Sequence, residues 1–121
     1  MTTETIGFTP SSKSYGAAVC LCAIFGLLGI HHFYLGRILH GIIDLSMTIG
    51  AIALIFTGQV QLYEGSGTGG GLLMAGYGLL MAGYGLLIID AIHTFTITIL
   101  LLIGKYRDGR GFVVAYPGQR Q

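Results

Sequence analysis

From Gly71 to Ile103 the sequence reads GLLMAGYGLLMAGYGLLIIDAIHTFTITILLLI, an apolar run whose one full charge is Asp90. As an α-helix at ~1.5 Å per residue such a run is ~50 Å long, and about 20 apolar residues already cross a bilayer. A small soluble domain cannot bury such an element on every side. The run therefore predicts a lipid environment, and it sets an acidic group deep inside a span.

The remaining sequence fits that reading. Arg37, Asp44, Glu64 and Asp90 are the only charged residues between Tyr15 and Ile103, and the others lie in the two ends. Of 121 residues 9% are charged, against about a quarter in soluble domains. One transmembrane domain over 15–104 is expected between a polar tail at 1–14 and another at 105–121. A net charge of +1 gives no broad basic surface for nucleic acid. The first tail, rich in Thr and Ser and broken by Pro10, reads as extended, with Ser11, Ser12 and Ser14 placed to cap a helix. Its one positive residue is Lys13 and no A-x-A-like site follows the first apolar stretch, so a cleaved signal peptide is not expected. Cys20 and Cys22 would point to different sides of a helix, so they read as small hydrophobes rather than a disulfide or a zinc site.

Hydropathy divides the domain into spans at about 15–35, 38–57 and 72–103, with a Gly-rich linker at 58–71. The expected fold is all-α and integral to the membrane, with three helical spans, or two long helices plus an interfacial element. His31, His32, Phe33, Tyr34, Gly36 and Arg37 form a polar-aromatic corner between the first two spans, a composition suited to the headgroup level. With three spans, the Arg37 corner and the C-terminal tail share one side and hold five of the six positive residues. The positive-inside rule then puts the C-terminus inside and the N-terminus outside. The short FVVAY patch of the C-terminal tail is suited to packing on the membrane surface or pairing with a partner's strand.

The heptad GLLMAGY occurs twice, at Gly71–Tyr77 and Gly78–Tyr84. Gly71, Ala75, Gly78, Ala82 and Gly85 then recur with the spacing of a coiled-coil seam, built from the smallest residues. Lipid supplies no hydrophobic drive for helix association, so close approach has to, and small residues permit it. The seam serves either this chain's own helices or contacts between copies. The alternative is a tandem duplication that only lengthened an apolar helix.

Four ionisable residues sit inside the apolar segments. His40 and Asp44 are four apart, Asp90 and His93 three apart, so each pair shares a helix face. An unpaired carboxylate in mid-bilayer is costly and must be partnered, hydrated or protonated. Three readings stand: structural pairing of each Asp with its own His, with Thr94 or with the corner; a proton or ion path through Asp90; and a metal site. The metal candidates are His40, Asp44, Asp90 and His93, with His31 and His32 nearby, since imidazole and carboxylate suit several divalent ions. No catalytic, cofactor-binding or dedicated metal motif is present, so no cofactor and no enzymatic activity are expected.

The run GLLGIHHFYLGR (Gly26–Arg37), GIIDL (Gly41–Leu45) and the later IID (Ile88–Asp90) resembles the TM-two domain family. That family's pattern is G-x-x-G-x-H-x-F-Y-L-G, then G-I-x-x-L and a late L-I-D. Gly26, Gly29, His31, Phe33, Tyr34, Leu35 and Gly36 match its first block. The resemblance implies membrane topology more than activity, and it marks the corner His31–Arg37 and Asp90 as the residues that matter. This chain departs from the pattern by inserting the linker and the duplicated heptad before IID, which favours a third span. The leading expectation is a non-enzymatic scaffold or accessory subunit, in contact with lipids and with other transmembrane subunits, its own copies or different ones. A proton- or ion-conducting oligomer using Asp90 comes second, and a membrane metal protein third.

Overall fold

The computed structural model describes residues 9–65, 67 and 70–119. The remaining parts of the expected tails and linker, at 1–8, 66, 68–69 and 120–121, lie outside the described residues. The regular elements among the described residues are all helical: α1 (Tyr15–Phe25), a 3-10 turn (Gly26–Leu28), α2 (Ile30–Tyr34), α3 (Ile38–Gly65) and α4 (Gly70–Leu102). Extended chain is confined to isolated bridges of Val113 with Pro10 and with Arg107. Two helices, α3 and α4, are long and apolar enough to cross a membrane, and the Tyr15–Leu28 segment is a shorter apolar helix. Ile24, Phe56, Met74, Met81, Ile92 and Phe95 are all well exposed on the helix exterior. That exterior is apolar, as a lipid-facing surface requires.

α3 and α4 form an antiparallel hairpin. α3 runs past the expected end at Thr57 to Gly65, so the linker shrinks to the few residues before Gly70. Glycine costs a helix roughly 1 kcal/mol relative to alanine. At Gly58 that cost meets a return, because the residue lies in the contact with α4. A methyl group at Gly58 would sit 2.9 Å from the Gly76 carbonyl oxygen and 2.9 Å from Leu80 Cγ.

The buried positions of α4 are Gly76, Leu80, Gly83, Asp90, Ile97 and Leu101. Those of α3 are Gly41, Asp44, Thr48, Ala51, Gly58 and Gly65. Both sets follow the seven-residue period, so the heptad does mark a close-packed seam. Its phase differs from expectation. Gly71, Gly78 and Gly85 have open space where a side chain would be, and Ala75 and Ala82 are exposed. Within the chain the contact is made by the sixth residue of each heptad instead. A methyl on Gly76 would lie 3.0 Å from Leu62, and one on Gly83 would lie 2.6 Å from Ile55.

The first apolar segment does not run the length of this hairpin. Ser14 caps α1 by accepting from the Ala17 N–H at 3.4 Å, and Ala18 and Cys22 join Ile97 and Leu101 in one buried cluster. α1 thus follows the C-terminal part of α4 inward, until Gly26 meets Thr94 and the Leu27 carbonyl accepts from Thr48. Gly29, at φ 66°, then turns the chain back. A side chain there would also lie 2.7 Å from Asp44 Cβ, so glycine is needed for both backbone and space. α2 returns to the starting end, where the Leu35 carbonyl accepts from the Gly109 N–H at 2.8 Å.

Residues 10–14 and 106–114 are therefore at one end of the hairpin. The Ser11 N–H donates to the Val113 carbonyl at 2.8 Å, its hydroxyl to Asp108 at 2.6 Å, and the Ser14 N–H to the Tyr34 hydroxyl at 2.9 Å. The first segment enters and leaves by the same end, so residues 10–14 lie beside the C-terminal tail and not at the α3–α4 connection. The FVVAY patch pairs within its own chain, with Val113 and Val114 buried.

A polar cluster inside the hairpin

Two carboxylates face the interior of the fold, Asp44 from α3 and Asp90 from α4, with 1% and 0% of their surface exposed. Asp90 lies ~18 Å along α4 from its C-terminal end at ~1.5 Å per residue, about half the ~30 Å hydrocarbon thickness. Neither can reach water by its own length. Helix neighbours do not satisfy them; partners on other elements do.

Asp44 takes its partners from both sides. His93 Nδ1 on α4 is 3.1 Å from Asp44 Oδ1, and His32 Nε2 on α2 is 3.0 Å from Asp44 Oδ2. The second contact is short, yet too poorly aligned for a hydrogen bond, and both of its atoms are buried without a bonded partner. The other nitrogen of His32 is 3.0 Å from the Tyr106 hydroxyl. That oxygen also accepts from Arg37 at 3.3 Å. Tyr106 lies beyond the end of α4, where burial raises its pKa against the opposing effect of Arg37.

Asp90 depends on Thr48, whose Oγ1 lies 2.8 Å from Asp90 Oδ2 and also contacts the Leu27 carbonyl. A hydroxyl has one proton to give, and both neighbours are acceptors. The second carboxylate oxygen of Asp90 has no partner at all. The same is true of both ring nitrogens of His31, which is fully buried with its ring 4.1 Å from that of His32.

These positions differ in part from the sequence reading. The corner residues His31 and His32, together with Asp44, Asp90 and His93, come together in one place. His40 does not pair with Asp44: it is exposed, its ring 5.6 Å from that of His32. Nor does Asp90 pair with His93 or Thr94, whose hydroxyl is buried without a partner. A shared helix face makes such pairs possible, but the helix–helix contact decides which side chains turn inward. Phe33 lies beside Gly41, Tyr34 accepts from the Ser14 N–H, and Gly36, at φ 78°, leads into α3. The sequence reading passed over Thr48 and Tyr106. Thr48 is four residues after Asp44 on the same face, a spacing that could have found it; Tyr106 lies in a tail and carried no such signal.

Among known protein families, the model of the TM2 domain matches residues 11–60. No curated protein and no solved structure matches the chain. The match of the family model covers α1, the turn, α2 and most of α3, and stops before α4 brings in Asp90 and His93. The helical hairpin, its apolar exterior and the glycine-hinged histidine corner together describe a small integral membrane protein whose residues 11–60 match the TM2 domain model.

Proposed function

We propose that this protein is a non-enzymatic scaffold or accessory subunit that acts by packing against other transmembrane helices. The observation that carries this reading is that α4 has two stripes of small residues and its own hairpin uses one. Gly76 and Gly83 are in contact with α3, while Gly71, Gly78 and Gly85 stand clear with Ala75 and Ala82 beside them. A lipid-facing helix gains nothing from lacking side chains, whereas a second helix can approach such a stripe closely. Lipids would cover the remaining apolar exterior.

The test is mass measurement after mild-detergent extraction of the full chain. Gly78→Leu with Ala82→Leu should remove the higher-mass species while the isolated chain stays folded. A wild-type chain that extracts alone, or an assembly indifferent to both substitutions, would overturn the reading.

The distribution of charge supports an orientation. Lys13, Arg37, Lys105, Arg107 and Arg110 share the end where the tails meet, and Glu64 lies by the opposite turn. The positive-inside rule assigns the tail end to the inner side.

A second reading is proton or ion conduction by an oligomer, favoured by Thr48 offering one proton to two acceptors beside Asp90. It requires pH-driven flux into liposomes that stops with Asp90→Asn. The assembly reading requires no such flux.

A further inference from the structure

Two observations at the polar cluster have no explanation in helix packing. The first is His31. Either tautomer of a neutral imidazole carries one N–H donor and one acceptor nitrogen. Here both nitrogens are buried with no partner, in a side chain with 0% exposure. Buried polar groups in native proteins are almost always satisfied. The second is the approach of His32 Nε2 to Asp44 Oδ2 at 3.0 Å with no hydrogen bond between them. A ring nitrogen and a carboxylate oxygen held this close without a hydrogen bond are spaced as two ligands of one metal ion can be.

We propose that His31, His32 and Asp44 bind one divalent first-row transition-metal ion inside the hairpin. One donor atom from each lies within 4.8 Å of the others. Bonds of about 2.0–2.2 Å to nitrogen and oxygen bring such atoms to ~3–4 Å from one another, so small side-chain movements close the site. Two imidazoles and a carboxylate select iron, manganese, cobalt or zinc over magnesium and calcium, which prefer all-oxygen ligands.

The surroundings fit the same ion. Tyr106 holds the far nitrogen of His32, and His93 holds the far oxygen of Asp44. A ligand's second polar atom is commonly held this way at metal centres. Charge is accounted for as well. Asp44, Asp90 and His93 form a second close group through the shared Asp44, so a divalent ion beside two carboxylates makes a neutral cluster. That explains why two aspartates occupy a region where one bare charge is already costly.

The experiment uses the full untagged chain, stripped with chelator and reconstituted in nanodiscs, titrated with Co2+ alone and separately with Zn2+ and Mg2+. Expected results are one Co2+ retained per chain after desalting, visible d–d absorption, displacement by Zn2+ and indifference to Mg2+. His31→Gln and His32→Gln should each weaken Co2+ binding by more than about tenfold, and Tyr106→Phe by about tenfold. His40→Gln should leave it unchanged. If the first two variants fail to fold, His93→Gln at the partly exposed edge reports instead, with an expected loss of about 10–100-fold. Sub-stoichiometric or spectrally silent Co2+ in the wild-type chain would overturn the proposal. So would binding that survives His31→Gln in a folded chain, or that falls equally with His40→Gln, since either means adventitious surface histidines. The measurement is made on the single chain, so its outcome does not depend on whether the protein assembles.

Discussion

Among the described residues, Thr48 is the one whose side chain hydrogen-bonds to Asp90, which makes its hydroxyl consequential. Asp90→Asn preserves the side chain's shape and a hydrogen bond to that hydroxyl, so the fold should persist. Thr48→Val keeps shape on the other side of the pair and removes the donor. A buried acceptor left unsatisfied costs about 1–3 kcal/mol, so Thr48→Val should unfold at lower denaturant in detergent while Thr48→Ser matches wild type. Wild-type stability for the valine variant would mean that Asp90 is satisfied by something other than Thr48. At this scale the sequence showed which residues were out of place in lipid. It did not show their partners, because Asp44–His93 and Asp90–Thr48 join residues from different helices.

At the scale of elements, a repeat of seven sets a period and leaves its phase open, and the two small stripes of α4 are a case of this. The phase was nevertheless present in the sequence. Gly76 and Gly83 stand fourteen and seven residues before Asp90; Ala51, Gly58 and Gly65 stand seven, fourteen and twenty-one after Asp44. Whichever face hides the carboxylates hides those small residues too, because burial of a charge is decided more strongly than burial of a glycine. Gly83→Leu should therefore cost about 1–3 kcal/mol of the isolated chain's stability by forcing α3 away. Gly78→Leu should cost it almost nothing, a contrast that thermal unfolding in detergent measures directly. Equal losses would return the intrachain seam to the first residue of each heptad.

For the whole molecule, the tails form a small polar layer over one end of the hairpin, with Asp108 at its centre. Burial alone would raise the pKa of Asp108; donors from the Ser11 hydroxyl and the Phe112 and Arg110 N–H groups, with the Arg110 charge, outweigh it and lower the value below the usual 3.8. A carboxylate whose folded pKa is depressed adds stability that is fully present above the unfolded pKa. That stability is lost as pH falls through the folded value. Docking of residues 10–14 should thus weaken below about pH 4, and Asp108→Asn should abolish that dependence. Protease cleavage near Lys13 across pH reads it, and a profile flat through the acid range would exclude Asp108 as the latch. The same layer predicts that reporters fused at either terminus are both inside, with one inserted between α3 and α4 outside. Termini on opposite sides would require a third crossing.

The sequence by itself determined the solvent, the two long helices, the heptad period and the set of polar residues in lipid, because each follows from local composition and from a helix's fixed rise. The histidine corner was legible too, since its glycines mark where the backbone must turn. Only the tertiary structure decided that the first apolar segment turns back at Gly29 and folds against α4. Its hydropathy is the same whether it passes beside the hairpin or folds against it, and the difference rests on contacts with Ile97, Leu101 and Thr98. The meeting of His31, His32, Asp44, Asp90 and His93 was likewise undetermined by spacing. It arises where three elements converge, and distances between helices are set by packing across the seam, to which no single stretch of sequence gives access.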